Sequence, residues 1–358
     1  MRETIGFGII GCGTIGGVHA EAIRKVTGVR LVAVADMAEQ KAKKTGEDYG
    51  VPYYSNYRDL LERDDIDVVN VCLPSGLHMD ACIDAANAGK NILCEKPLEI
   101  TLSRIDKILE AVHKNGVKLG VVFQKRFQNP SKLIKDAITS GKLGKLISGS
   151  AYLKMYRTQA YYDSGAWRGT WKLDGGGCLM NQGIHGIDLL QWFMGPVKSV
   201  YAVTDIAAHE RIEVEDVAVA LVKFANGAAG VIEGSTSCYP GLPSVLEVYG
   251  TNGTVTLQEE KLTRWAFINP TEDDKTLAKK AAEEGGKTEE IDRSDPLATV
   301  GDSHLLPIED MAAAVREDKD PAVTGEEGRK SVEIILAIYK SAKTGEEVEL
   351  PLAEWSPA

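Results

Sequence analysis

Residues 9–16 read Ile-Ile-Gly-Cys-Gly-Thr-Ile-Gly, and a hydrophobic run, Ile5–Ile10, leads straight into them. Such a run predicts a buried β-strand, the segment Ile15–Val26 predicts a helix, and Val29–Ala35 predicts a second strand. The second strand ends at Asp36, which follows the last glycine by 20 residues. A strand, a glycine-rich turn, a helix, a strand and a terminal acid in this order are typical of a unit that binds a dinucleotide.

The register of the glycines decides which residues form the loop. Gly6 and Gly8 also have the right spacing to Gly11, but they lie inside the first strand, where no helix N-terminus can meet a phosphate. In the register that starts at Gly11, that residue makes the tight turn. Gly13 then lets the pyrophosphate approach the backbone, and Gly16 lets helix and strand pack closely. We therefore predict a Rossmann-type cofactor loop made of Gly11, Cys12, Gly13, Thr14, Ile15 and Gly16.

Asp36 indicates which cofactor binds. A carboxylate at the end of the second strand accepts hydrogen bonds from the adenosine ribose and repels a 2′-phosphate. No arginine follows it directly, since the next residues are Met37, Ala38 and Glu39. The sequence therefore predicts NAD as the cofactor, in preference to NADP.

The composition of the 358 residues restricts the class of protein. Hydrophobic residues make up 44% of the chain, and no apolar run is long enough to span a bilayer, which predicts a soluble globular protein. A net charge of −11 argues against nucleic acid or an anionic membrane as a partner. Met1 is followed almost at once by the first strand, so we expect no signal peptide and a cytoplasmic location.

The six cysteines favour a reducing compartment. They contain no Cys-x-x-Cys pair, and most lie in apolar strand or helix segments, where a cysteine acts as a small hydrophobic residue. The clustered cysteine, histidine and acidic ligands of zinc dehydrogenases are missing from the pattern. We therefore predict no metal site.

Alternating strands and helices continue through roughly the first 120 residues, as a doubly wound parallel sheet requires. They are predicted at Asp67–Leu73 (strand), His78–Ala88 (helix), Asn91–Cys94 (strand), Leu102–Lys114 (helix) and Val117–Phe123 (strand). This half is predicted to be an NAD-binding Rossmann domain, residues 1–125.

After a helix at Ser131–Ser140 the pattern changes to strands with period-two alternation, which predicts a large, mainly antiparallel open sheet. These strands are predicted at Ile147–Tyr156, Val197–Thr204, Val217–Phe224, Ala228–Thr236, Val245–Tyr249 and Thr254–Gln258. The charged stretch Thr271–Asp295 is expected to be an exposed excursion. Helices at Leu305–Arg316 and Glu326–Lys343 then complete an α+β substrate-binding and oligomerisation domain, residues 126–358, whose last helices and tail are allowed to pack on either domain.

Lys96 lies in the tripeptide Glu95-Lys96-Pro97, just past the strand Asn91–Cys94. Ligands of open α/β sheets bind at the carboxyl ends of the strands, and the following proline keeps Lys96 in an extended backbone. Beside a cationic nicotinamide, the ammonium form of Lys96 would be disfavoured, which suits general acid–base chemistry. A solvated lysine at a strand end fits the same position equally well.

His185 follows the glycine run Gly175–Gly177. On a helix, Asn181 and Asp188 would share its face. Asp188 would then orient the imidazole, and Asn181 would bind a substrate hydroxyl. The alternative is a structural histidine on an apolar helix.

Basic and aromatic residues are frequent around these elements. Aromatic faces stack on sugars, and guanidinium groups bind phosphate or carboxylate through paired hydrogen bonds. The set therefore suits a polyhydroxylated ligand, including an anionic one, although each member alone also fits a solvated surface or the core. Its members are Gln124, Lys125, Arg126, Tyr156, Arg157, Tyr161, Tyr162, Trp167, Arg168 and Lys172.

Four motifs resemble those of the glucose–fructose oxidoreductase / inositol dehydrogenase / MocA (Gfo/Idh/MocA) family, and the resemblance covers essentially the whole chain. They are the loop Gly11–Gly16, the segment Leu73-Pro74-Ser75-Gly76-Leu77-His78, the tripeptide Glu95-Lys96-Pro97, and the run from Gly175 to Asp188 with its histidine. The resemblance implies hydride transfer between a nicotinamide cofactor and a carbinol carbon of a sugar or cyclitol. Lys96 and His185 would be the catalytic residues that handle the hydroxyl proton. It also implies a homodimer or homotetramer whose subunits meet through the open sheet.

The resemblance implies further ligand contacts. Besides the loop and Asp36, the cofactor contacts are Leu73, Pro74, Ser75, His78, Glu95, Lys96 and Gln124. The substrate contacts are Lys96, Arg126, Tyr156, Trp167, Arg168, Asn181, Gln182 and His185.

Asn181 departs from the family's pattern, because inositol dehydrogenase-like members carry an aspartate four residues before the histidine. Asparagine cannot accept a proton at neutral pH, which argues against a proton relay through this position. The stretch from Trp167 to His185 instead resembles members that oxidise the 3-hydroxyl of UDP-N-acetylhexosamines or related pyranosides. The alternatives are a free-sugar or inositol dehydrogenase or reductase, a glycosidase that recycles NAD, and a non-catalytic NAD-binding regulator.

Overall fold

A computed structural model describes residues 4–285 and 302–357. These residues form two compact units, the first made of residues 4–124 and 302–329 and the second of residues 125–285 and 330–357. The described helices are α1 (Thr14–Lys25), α2 (Glu39–Tyr49), α3 (Tyr57–Leu61), α4 (His78–Asn87), α5 (Leu102–Asn115), α6 (Asn129–Thr139), α7 (Gln159–Asp163), α8 (Ile184–Met194), α9 (Glu272–Gly285), α10 (Leu305–Glu317) and α11 (Gly325–Thr344).

The first unit is built on a parallel sheet. Its six strands are β1 (Ile5–Ile10), β2 (Val29–Ala35), β3 (Tyr53–Tyr54), β4 (Val68–Val71), β5 (Asn91–Cys94) and β6 (Leu119–Val121). They lie in the order β3-β2-β1-β4-β5-β6, and every pair of neighbours is parallel. The strand order reverses direction at β1 and β4, and ligands of such sheets bind at that point, outside the carboxyl ends of the strands.

The core of the first unit explains why its strands are continuous apolar runs. All six residues of β1 are buried, because helices cover both faces of the parallel sheet. Phe7 and Ile9 pack in one cluster with Ile23 of α1 and with Ile308 and Met311 of α10. The helix α10 is therefore part of the first unit's core although it lies near the end of the chain.

The second unit is built on an eight-stranded sheet. Its strands are β7 (Leu146–Lys154), β8 (Val197–Asp205), β9 (Val217–Phe224), β10 (Ala229–Ser235), β11 (Val245–Gly250), β12 (Gly253–Gln258), β13 (Lys261–Phe267) and β14 (Val348–Glu349). The order is β13-β12-β11-β7-β10-β9-β8-β14, in which β7 and β10 are parallel and the other neighbours antiparallel.

The predicted fold class, a doubly wound Rossmann sheet followed by a domain with a mainly antiparallel sheet, is confirmed. The predicted ends of β1, β2, β5 and β9 coincide with the observed ends, and the other predicted strands differ by a few residues. Within the described residues, no helix combines the length and the apolarity needed to span a bilayer.

Several elements of the second unit differ from the prediction, and among them α7 and β14 were missed. The strand β13 was missed, and it pairs with β12. The predicted exposed excursion at Thr271–Asp295 begins with a regular helix, α9, while its last ten residues, 286–295, lie outside the described residues. Most of the helix surface is polar, which is why the prediction missed the helix, but the buried Asp274 and Ala281 tie it to the sheet.

Candidate active site

Among the three glycines of the first unit's glycine loop, only Gly13 leaves space for a ligand. Gly11 has a φ of 103°, and its N–H donates to the carbonyl oxygen of Ala35 at 2.8 Å. A Cβ at Gly16 would collide with the carbonyl oxygen of Gly11, so close packing requires glycine there. A Cβ at Gly13 would meet no described atom within 4 Å. This open position at the start of α1, which begins at Thr14, fits the approach of a pyrophosphate.

Asp36 is held beside this loop by two backbone bonds. Its Oδ2 accepts the N–H of Cys12 at 2.9 Å, and its Oδ1 accepts the N–H of Ala38 at 2.8 Å. Burial raises the pKa of the Cys12 thiol to about 11, so this side chain stays neutral at the loop. A fixed carboxylate at the end of β2 fits the ribose of NAD.

His78 braces two predicted cofactor segments from inside the first unit. Its ring nitrogens each lie 2.9 Å from a carbonyl oxygen, Nε2 from that of Leu73 and Nδ1 from that of Pro97. The side chain is buried, as is Ser75 in the short turn Ser75–Leu77. The imidazole of His78 thus connects the segment that follows β4, which contains Leu73, Pro74 and Ser75, with the segment that follows β5. The expected contact of His78 with the cofactor stays a prediction.

Glu95 also faces the interior. Its Oε1 lies 2.8 Å from Nε2 of His19 and 3.2 Å from Nε2 of His304, and its Oε2 accepts the N–H of Lys96 at 3.2 Å. Although burial raises the pKa of this carboxyl group, the hydrogen bonds from His19 and His304 hold that pKa well below its usual value. The Glu95 carboxylate therefore supports the backbone of Lys96, and its expected contact with the cofactor stays a prediction.

The cluster of His19, Glu95 and His304 contains ligand types that bind metals, with ligand atoms within 4.8 Å of one another. Its hydrogen bonds account for the arrangement. Nδ2 of Asn70 donates to Nδ1 of His19 at 2.8 Å, which leaves the proton of the imidazole on Nε2, facing Glu95. Burial lowers the pKa of His19, so the neutral imidazole is favoured. The absence of a metal site stays a prediction.

In the second unit, the glycine run leads into a π-helical turn, Cys178–Gly183, and then into α8. Asn181, Gln182 and His185 lie half-buried along this stretch. Nδ2 of Asn181 donates to Oδ1 of Asp174 at 2.8 Å. The predicted helix is thus present, with a wider turn at the position of Asn181 and Gln182; π-helical turns are frequent at functional sites.

A cationic and aromatic group lies next to Gln182. The guanidinium carbon of Arg168 is 4.2 Å from the ring centre of Tyr161 and 4.5 Å from that of Trp167. The hydroxyl oxygen of Tyr161 accepts Nη1 of Arg168 at 2.5 Å and Nε2 of Gln182 at 3.0 Å. Three predicted substrate contacts are therefore brought together by Tyr161; a fourth, Tyr156, packs edge-to-face on Tyr239 at 5.2 Å.

Arg126, for which a substrate contact is predicted, forms a buried ion pair. Its Nε and Nη2 donate to the two carboxylate oxygens of Asp188 at 2.7 and 2.6 Å, and both side chains are buried. The Ser331 hydroxyl donates to Oδ1 of Asp188 at 3.2 Å. Asp188 thus forms a buried bidentate ion pair with Arg126, and its expected role in orienting His185 stays a prediction. The remaining cluster members also have local roles: Lys125 pairs with Glu259, and Tyr162 is buried.

Gln124, a predicted cofactor contact, lies half-buried in the short turn Gln124–Phe127.

Two functional features of the site were missed by sequence reasoning. The first is the contact of His19 and His304 with Glu95, which nothing in the sequence indicated. Glu215, which holds the glycine run, is the second. The only local signal is the pair Glu215-Asp216 directly before the apolar strand β9.

A parallel sheet of this order, a glycine loop with an open central position and a fixed acid at the end of β2 define an NAD-dependent oxidoreductase. The family models agree. The model of the oxidoreductase family's NAD-binding Rossmann fold matches residues 5–123, and that of its C-terminal alpha/beta domain matches residues 135–350. The chain belongs to the Gfo/Idh/MocA oxidoreductase family.

Solved and curated relatives agree with this assignment. The WlbA dehydrogenase from Bordetella pertussis, in complex with NADH and UDP-GlcNAcA, is 33% identical with a TM-score of 0.89, and 99% of each chain is covered. Myo-inositol 2-dehydrogenase of Thermotoga maritima is 28% identical over 96% of this chain and 98% of its own. The NAD(+)-dependent scyllo-inositol 2-dehydrogenase of Bacillus subtilis is 28% identical over 98% of this chain and 97% of its own. The predicted family, enzyme class and cofactor are confirmed.

Proposed function

We propose that this enzyme oxidises the 3-hydroxyl of a UDP-linked N-acetylated amino sugar, of the uronate type found in UDP-GlcNAcA, with NAD as hydride acceptor. The observation that carries the proposal is the likeness to WlbA over 99% of both chains at 33% identity. The group formed by Arg168, Tyr161 and Trp167 supports it, because a guanidinium held between aromatic rings suits an anionic sugar.

Lys96 and His185 are the proposed catalytic residues. NAD, when bound, supplies the acceptor for the hydride. Removal of the hydroxyl proton by a positioned base contributes about 10²- to 10⁴-fold, and both side chains are half-buried and of the right chemical type. The bond from the Lys96 N–H to Glu95 fixes the backbone from which the lysine side chain extends.

Each unit has a proposed binding role. Residues 1–125 bind NAD through the loop Gly11–Gly16 and Asp36. Residues 126–358 bind the substrate and the second subunit, and Asn181 and Gln182 hydrogen-bond the sugar. The bond of Asn181 to Asp174 supports this, because it fixes the orientation of the Asn181 amide.

A cyclitol dehydrogenase is the second candidate. It is favoured by the two inositol dehydrogenases that match nearly the whole chain at 28% identity. Asn181, in place of the aspartate that the inositol-type resemblance implies, argues for the nucleotide sugar.

The proposed assembly is a homodimer or homotetramer. Tyr201 of β8 lies opposite Leu221 of β9, and Val203 lies opposite Val219. These four side chains are 46%, 60%, 64% and 46% exposed, in that order, and form an apolar face on the open sheet. An exposed apolar patch of this kind is typical of a protein interface.

The proposed location is the cytoplasm, without nucleic acid or membrane partners. All six cysteines are free thiols, as a reducing compartment requires. The net charge of −11 disfavours binding to polyanions.

The test is an absorbance screen at 340 nm, a wavelength at which NADH absorbs. UDP-GlcNAcA, the same acid without UDP, and myo-inositol are compared with NAD⁺ and NADP⁺ after any co-purified cofactor has been measured. We expect NADH formation with UDP-GlcNAcA and NAD⁺. Turnover with myo-inositol alone would favour the second candidate, and bound NAD without any net NADH formation would favour a recycled cofactor or a non-catalytic regulator.

A further inference from the structure

Glu215 holds the start of the segment that carries the proposed substrate residues. It is 4% exposed and lies just before β9. Its Oε2 accepts the N–H of Gly177 at 2.9 Å, and its Oε1 accepts the N–H of Leu179 at 3.0 Å. The carbonyl oxygen of Glu215 accepts the N–H between them, that of Cys178, at 3.0 Å. Three consecutive donors at the N-terminal end of a helical turn are thus bound by one residue, as such donors require.

Tyr339 completes this arrangement from α11. Its hydroxyl donates to Oε1 of Glu215 at 2.8 Å, and its ring packs edge-to-face on Trp171 at 5.4 Å. The carboxylate therefore accepts two N–H groups and one O–H group in a buried site, and Sγ of Cys178 adds a weak S–H bond to Oε1 at 3.7 Å. Charge-assisted bonds of this type are the strong ones.

The glycine run is explained by these contacts. A Cβ at Gly177 would collide with the carbonyl oxygen of Glu215, and a Cβ at Gly176 would collide with the hydroxyl oxygen of Tyr339. The absence of side chains at these two positions thus permits the close approach of Glu215 and Tyr339.

The segment that is held in this way is short and continuous. The turn Cys178–Gly183 contains Asn181 and Gln182, and α8 follows at once with His185 in its first turn. A displacement at the start of the turn would move these side chains together, and a misplacement of about 1 Å costs about 100-fold in rate.

We propose that Glu215 is a positioning residue that sets the geometry of the substrate-binding turn through the N–H groups of Gly177 and Leu179. This inference rests on the proposed function, because it concerns the same site. Glu215 does not touch the reacting atoms in this role; it acts through the backbone of the turn.

The charge of Glu215 gives the role a pH dependence. Burial raises the pKa of Glu215 to about 7, although the bonds from Leu179, Tyr339 and Gly177 act to lower it. Protonation of the Glu215 carboxylate places an O–H donor where three donors already point, so the hydrogen bonds that hold the turn weaken below that pH.

The other titratable groups around Glu215 keep one state through this range. Burial raises the pKa of Cys178, Tyr339 and Tyr162, so these three stay neutral. Asp216 stays ionised, since three backbone N–H groups lower its pKa to about 2 although burial raises it.

The test compares Glu215→Gln with Tyr339→Phe in the full-length enzyme. Whichever way the glutamine amide turns, its NH₂ group faces a backbone N–H donor, so we expect kcat to fall about 10- to 100-fold while NAD affinity is unchanged. The kcat–pH profile of the wild type should show an ionisation near pH 7 that the glutamine variant lacks. Tyr339→Phe keeps both N–H bonds but removes the hydroxyl that lowers the pKa of Glu215, so its ionisation should move to higher pH.

Hydrogen exchange of the peptide that contains residues 177–179 provides a readout without substrate. We expect its protection factor to fall in Glu215→Gln while that of the β1 peptide stays unchanged. If no substrate is turned over by the wild type, the proposed function fails, and the hydrogen-exchange measurement alone then decides the role of Glu215. Unchanged protection, or a wild-type kcat and pH profile in the glutamine variant, would overturn the proposal. If that variant does not fold, an unshifted ionisation in Tyr339→Phe would overturn it.

Discussion

At the scale of single residues, Asp36 determines the proposed cofactor preference. Its carboxylate is fixed by the N–H groups of Cys12 and Ala38. Replacing Asp36 by alanine and Met37 by arginine removes the ribose acceptor and adds a cation for a 2′-phosphate. We expect the ratio of kcat/KM for NAD to that for NADP to fall by about 10- to 100-fold, as the loss of a hydrogen bond to a charged group implies. The exposed Glu39→Ala should leave the ratio unchanged; an unchanged ratio in the double variant would remove Asp36 from the cofactor site.

Lys96 and His185 are tested by separate alanine substitutions. Each should lower kcat by about 10²- to 10⁴-fold with NAD affinity retained, because each removes a proposed acid–base group. The exposed Lys275→Ala and His113→Ala are the matched controls and should stay within about threefold of the wild-type kcat. If Lys96→Ala and His185→Ala both behave like the controls, the catalytic assignment is wrong.

At the scale of elements, the ion pair between Arg126 and Asp188 links the turn Gln124–Phe127 to α8. Asp188→Asn leaves a buried guanidinium without its counter-charge, which should lower the free energy of unfolding by about 3–5 kcal/mol. The exposed pair of Arg211 and Asp163 is the control, since Asp163→Asn should cost less than about 1 kcal/mol. Equal losses in urea denaturation would contradict the structural role of Arg126.

Glu215 couples the stability of the second unit to pH. Its pKa in the folded protein, about 7, lies above the ordinary value of 4.5, so the folded state binds the proton more tightly than the unfolded state does. The resulting stabilisation is complete below about pH 4.5 and is lost as pH rises through about 7, to a total of about 3 kcal/mol. Denaturation of the wild type should therefore give a lower free energy of unfolding at about pH 8 than at about pH 5, and Glu215→Gln should lack this difference. A parallel pH dependence in the two proteins would show that Glu215 does not titrate in this range.

Local sequence patterns were sufficient to predict most helices and strands. Contacts between residues far apart in the chain could not be predicted from such patterns. The ends of β2, β5 and β9 follow from uninterrupted apolar or alternating runs. The parallel pairing of β7 with β10 joins strands far apart in the chain, and β13 was missed because its lysine and arginine interrupt the alternation.

The same limit applies to the site. The glycine loop and Asp36 are adjacent in the chain to the strands that place them, so sequence reasoning reached them. Arg126 was assigned to the substrate because its partner, Asp188, is 62 residues away. Glu215 lies 36 residues from Leu179, and no local pattern indicates that contact.

At the scale of the whole molecule, the apolar face of β8 and β9 predicts self-association. Leu221→Glu places a charge in the middle of that face and should convert the proposed homo-oligomer to a smaller species in light scattering coupled to size exclusion. Met37→Glu changes an apolar side chain that is 88% exposed in the first unit and should leave the mass unchanged. The same mass for Leu221→Glu and the wild type would place the subunit contact elsewhere.

The identity of the oxidised carbon tests the proposed reaction most directly. UDP-GlcNAcA that carries deuterium at C3 is mixed with a stoichiometric amount of enzyme and NAD⁺, and the cofactor is recovered and analysed by mass spectrometry and NMR. This single-turnover design also detects a cofactor that stays bound and is recycled. We expect deuterium at C4 of the nicotinamide, in reduced cofactor equivalent to the enzyme sites. Reduced cofactor without deuterium, or no reduction by this substrate while an inositol reduces NAD⁺, would contradict oxidation at the 3-hydroxyl of a nucleotide sugar.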